Sequence, residues 1–128
     1  CPLELLPHAT TAPAEVMVAK APHGAEGHRL LALVNWKRGE IETALTECAL
    51  ALEAEPDSAP MLALQTLGLW RLDRKKEARE AFVQAAKVQP QIASAEVFCR
   101  LILCDARDVG IVREFLRKNR WVLYPPTR

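Results

Sequence analysis

A chain of 128 residues is the size of one domain, and with half of its residues apolar it has ample material for a core, which excludes a disordered tract. Strand-forming and aromatic residues are scarce while Ala, Leu, Glu, Lys and Arg dominate, so helix is favoured over sheet. A net charge of +1 gives no global pull toward nucleic acid or an anionic membrane, and no apolar run approaches the roughly 20 residues of a membrane span.

Residues 1–12, with Pro2, Pro7 and the Ala9-Thr10-Thr11 stretch, read as an extended lead-in. A short helix is expected from about Pro13 to Lys20, which makes residues 13–24 a partial repeat or a capping helix. The chain opens on Cys1-Pro2 with no initiator Met, and the expectation is a processed product or an excerpt of something longer. Glu26 to Arg38 then sets Leu30, Leu33, Val34 and Lys37 on one helical stripe, and Gly39, tolerant of positive φ, breaks it. Glu40 to Glu55 follows, with Ile41, Ala44, Leu45, Cys48 and Leu52 at helical spacing. Asp57 or Ser58 is expected to cap the next helix, and Pro60 fits its first turn, where a missing N–H costs nothing. That helix runs from Pro60 to Leu72 and is apolar at Leu62, Leu64, Leu67, Leu69 and Trp70. After a polar turn at Asp73-Arg74, Lys75 to Val88 turns Ala78, Ala81, Phe82, Ala85 and Val88 inward, and Pro90 closes it. A third pair is expected from about Ala93 to Asp105 and, capped by Asp108, onward to Asn119 through Ile111, Val112, Phe115 and Leu116. Residues 121–128 read as a C-terminal cap or a linker.

Shifted by 34 residues, the sequence falls on itself: Ala44, Cys48, Ala51 and Pro56 meet Ala78, Phe82, Ala85 and Pro90, and Trp36-Lys37 meets Trp70-Arg71. A backward shift meets Ala14, Met17 and Pro22; a forward one meets Val112, Leu116 and Asn119. A period of this size marks stacked supersecondary units, here 25–58, 59–92 and a degenerate 93–120, within one domain spanning 13–128. No single pair buries both of its faces, so neighbours must stack.

A 34-residue helix–turn–helix with Ala-x3-large-x2-Ala-x4-Pro in its second helix resembles the tetratricopeptide repeat (TPR) family. The resemblance covers residues 25–90 and extends more weakly to 13–22 and 93–119. It implies an all-α fold, a right-handed superhelical array of antiparallel helix pairs (a TPR-like α-solenoid), whose first helices line a concave groove for a peptide or partner helix. The implied groove presents Arg29, Leu33, Trp36 and Lys37, then Ala63, Leu67, Trp70 and Arg71, then Val97, Leu101 and Cys104. The first helices depart from the family pattern, carrying His28, Leu31, Ala32 and Asn35, then Leu62, Gln65, Thr66 and Leu69, where it favours Trp, Leu, Gly and Tyr. Of the carboxylate-holding set of chaperone-binding members only Arg29 is present, so that activity is not expected. Trp36 and Trp70, each followed by a cation, suit a ligand with apolar side chains and some negative charge. They would equally fill the seam between adjacent first helices, and spacing leaves both open.

The expected function is therefore a protein–protein interaction module or scaffold, not an enzyme, with no cofactor. The five glycines are isolated and form no phosphate loop. No Ser or Cys has a His placed to activate it, and His8, His23 and His28 share no helical face, so no metal site is expected. Arg71, Arg74, Lys75, Lys76 and Arg79 are interleaved with Asp73, Glu77 and Glu80, which predicts ion pairing on a wet face rather than nucleic-acid contact. The cysteines at 1, 48, 99 and 104 form no CxxC. Cys99 and Cys104, about 140° apart on one predicted helix, are expected neither to pair nor to share a ligand. Buried thiols in a reducing, cytoplasmic compartment are expected, or a periplasmic location if the domain is cut from a longer anchored chain. Residues 1–64 carry 4 basic and 9 acidic side chains and residues 65–128 carry 13 and 7, which raises head-to-tail homo-oligomers or an acidic partner on the second half. The alternative function is an accessory repeat domain of a larger enzyme, such as a transferase.

Overall fold

The computed structural model of the chain describes residues 24–124. These divide at Pro56–Asp57 into two compact units. Among the described residues the regular structure is helical and there is no strand. None of their helices is long and apolar enough to cross a membrane. The expected lead-in, the helix at 13–20 and the last four residues lie outside the described residues.

The first unit holds α1 (Ala25–Lys37) and α2 (Ile41–Ala54), folded back on each other as a hairpin. Its buried side chains include Ala32 and Trp36 from α1 and Ala44, Cys48 and Ala51 from α2. His28 Nδ1 lies 2.7 Å from Glu47 Oε1, a hydrogen bond from one helix to the other.

The second unit holds α3 (Ala59–Arg71), α4 (Lys75–Val88), a 3-10 turn at Pro90–Ala93, α5 (Ala95–Ile102), α6 (Ala106–Asn119) and a second 3-10 turn at Arg120–Val122. α3 packs on α4, α5 and α6, which explains why it is apolar nearly all round rather than along one stripe. Thr66 within it is buried and donates its hydroxyl to the carbonyl of Leu62 at 2.7 Å, so the burial leaves no polar group stranded. Four rings, one from each helix, join the unit. Phe115 meets Trp70 edge-on at 5.3 Å and Phe82 at 4.9 Å, with Phe98 tilted at 6.1 Å.

The 34-residue period is visible in the backbone itself. Gly39 and Asp73 both have positive φ, 80° and 63°. Around each, the same two bonds close a Schellman motif: Glu40 N–H to Asn35 C=O and Gly39 N–H to Trp36 C=O in the first hairpin, Arg74 to Leu69 and Asp73 to Trp70 in the second, all at 2.9–3.0 Å. The second helices also end alike, with Glu55 at φ −134°, ψ 85° and Gln89 at −130°, 88°, each before a proline that bars the helical region.

The third hairpin departs from the expected boundaries. α5 stops at Ile102 rather than Asp105, because Leu103 takes the left-handed conformation (φ 54°); Cys104 N–H closes the same outer bond on Cys99 C=O at 3.0 Å, while Leu103 N–H also bonds Cys99 C=O in place of the inner bond of the first two turns. Asp108 does not cap α6. Asp105 does, accepting from Asp108 N–H at 2.9 Å, while the Asp108 carboxylate returns to Asp105 N–H at 3.4 Å in a capping box. The left-handed residue thus arrives 30 positions after Asp73 instead of 34. A four-residue displacement is close to one helical turn, so the buried face is conserved and Val112, Leu116 and Asn119 remain inside.

Candidate functional site

The residues expected at a ligand surface fall into two groups. Trp36 and Leu67 are enclosed, 2% and 0% exposed, as is Ala63. A side chain so placed meets a ligand only after local opening; its present role is packing. Trp70 is partly covered, edge-on to Phe115 on one side and with the Lys75 ammonium 5.4 Å from its ring centre. Arg29, Leu33, Val97, Leu101 and Cys104 are half-buried, and Lys37 and Arg71 are exposed. In the first unit Arg29, Leu33 and Lys37 recur at four-residue intervals along α1 and so share one side of it.

The basic set in the second unit is engaged locally. Arg74 grips Glu77 with two bonds of 2.8 and 2.6 Å, and Lys75 lies 3.7 Å from Asp73, as the interleaving predicts. The Arg74 bonds hold the exposed Glu77 carboxyl below its usual range. On α6, Arg117 and Lys118 share Glu114, whose carboxyl is lowered for the same reason.

A cleft of about 550 Å³, open to solvent, lies at the α5–α6 turn, lined chiefly by Cys99, Arg100, Leu103, Cys104, Val109 and Arg113. It lies where α5 ends after 8 residues, against 13 in each of α1 and α3. Leu103, at the left-handed position, is 63% exposed beside it. Arg100 pairs with Glu96 at 3.3 Å, whereas Arg113 takes part in no ion pair among the described residues. The cleft therefore offers an apolar wall, two thiols, the Arg100–Glu96 pair and one further cation, Arg113, a lining with one positive charge in excess, suited to an apolar group bearing a negative charge. Among the described residues no three His, Cys, Asp or Glu side chains converge as metal ligands would.

Of the expected site residues only Cys104 reaches this cleft. Cys99, Leu103, Val109 and Arg113 were not legible as a group, since the period places the third turn one helical turn later. The available signal was the Asp105-x2-Asp108 pair, which reads as a capping box and moves the helix start forward.

Compared with protein-family models, with curated proteins and with solved structures, the chain matches none.

Proposed function

We propose that the chain is a TPR-like interaction module that binds a peptide or partner protein, with the α5–α6 cleft and the half-exposed first-helix residues as its contact surface. The reading rests on one observation: the first two hairpins repeat the same turn, bond for bond, at the 34-residue interval. Repeats of this kind stack into extended surfaces that serve binding. The finer architecture, a right-handed superhelix with a concave groove, is part of the same proposal. Arg29, Leu33 and Lys37 contribute from the first unit, and Trp70, Arg71, Val97 and Leu101 from the second. Trp36 and Leu67 support them from within.

The preferred ligand carries apolar side chains beside carboxylates, matched to Arg113 and the cleft wall. Arrayed peptides of acidic–apolar, neutral–apolar and basic–apolar composition should separate, with the acidic set bound tightest. Arg113→Glu and the exposed Lys37→Glu and Arg71→Glu should each raise Kd for acidic peptides about tenfold without loss of helical content, since opposed charges at a contact repel. Equal affinity for all three peptide sets, or indifference to all three reversals, would overturn the proposal. A second reading, self-association, is favoured by the opposite charge of the two halves of the sequence.

A further inference from the structure

The third left-handed turn carries a feature that the first two do not. The bond from Cys104 N–H to Cys99 C=O joins two residues that both bear thiols, whereas the equivalent pairs are Asn35 with Glu40 and Leu69 with Arg74. An N···O distance of 3.0 Å together with covalent bond lengths limits the two Cα atoms to about 7 Å apart. Disulfides span Cα separations of roughly 4.4–6.8 Å, and the side chains at these two places of the motif habitually touch. The 140° separation of Cys99 and Cys104 holds only along a continuous helix through Cys104. The left-handed Leu103 ends that helix and swings Cys104 back over Cys99. Both residues are half-buried and both line the open cleft, so a small reagent has access to them.

We propose that Cys99 and Cys104 are a reversible thiol–disulfide pair whose oxidant is a low-molecular-weight disulfide of the glutathione type. One cysteine, as thiolate, attacks the glutathione disulfide, forms a mixed disulfide and expels one glutathione thiolate. The second cysteine, giving up its proton, attacks the protein sulfur of that mixed disulfide. The Cys99–Cys104 bond forms and the second glutathione leaves as thiolate. Two protein thiols are oxidised and one disulfide is reduced to two thiols, and a dithiol reverses the change. The bond fixes the tip of the third hairpin and one wall of the cleft. Cys48 stays out of this chemistry: it is fully buried, and burial pushes its thiol up to about 12, so it holds its proton. The proposal stands whether or not the cleft takes a peptide.

The test uses the full chain with Cys1→Ser, equilibrated at graded ratios of oxidised to reduced glutathione, blocked with N-ethylmaleimide and digested with trypsin. Cleavage after Arg100 puts the two thiols on separate peptides, 88–100 and 101–107. The expected result is those two peptides joined, from monomeric protein. The bond should form at a ratio about tenfold lower than glutathione needs to cap Cys99 in the Cys104→Ser variant, because the second step is intramolecular. Cysteines that carry only glutathione or maleimide at every ratio would overturn the proposal, as would joined peptides found only in covalent dimers.

Discussion

Cys48 shows how far burial governs a single side chain. It occupies the position that Phe82 and Leu116 fill one and two periods on, and all three are fully buried. Enclosure raises its thiol from 9.0 to about 12, with the neighbouring Glu47 charge adding to the effect. The sign follows from linkage. The folded state keeps the proton while the unfolded chain releases it above its ordinary pKa, so this contribution is complete below pH 9 and is lost as pH rises toward 12. The stability difference between the wild type and Cys48→Ala, read from urea unfolding, should therefore shrink from pH 8 to pH 10.5. A difference constant across that range would mean that the thiol is not shielded. Trp36 and Trp70 illustrate the other side of legibility. Their recurrence was plain in the sequence, but periodicity marks a side of a helix and does not say whether that side is covered. Only packing shows that Trp36 is enclosed and that Trp70 leans on Phe115.

At the scale of helices and turns, the first two hairpins were readable almost to the residue. Gly39 and the prolines after Glu55 and Gln89 act through backbone sterics, and those rules are local. The third was not, because neither a glycine nor an αL-tolerant Asp or Asn marks its turn: Leu103 adopts a conformation that costs an ordinary residue about 1–2 kcal/mol. The capping box that follows and the two backbone bonds to Cys99 C=O hold it. Gly39 offers a clean measure of such strain. No atom lies within 4 Å of where its Cβ would stand, so Gly39→Ala creates no clash. The substitution should still lower stability by about 1 kcal/mol, seen as an earlier urea midpoint, through the positive φ alone. An unchanged midpoint would show that the turn relaxes to another conformation.

For the whole chain, opposite charge in its two halves is the largest-scale electrostatic feature, −5 over residues 1–64 and +6 over 65–128. If that asymmetry drives head-to-tail association, sedimentation at low ionic strength should show dimers or longer species that fall to monomer near 0.5 M salt, where screening acts within about 4–5 Å. A mass that does not change with salt removes this reading and leaves the charges to heterologous partners. The displaced third turn has a wider consequence. In the third hairpin the tip stands close to one helical turn early while Val112, Leu116 and Asn119 stay inside. Tip position and interior phase are separable in this chain, and the open recess lies at the one tip that is out of step.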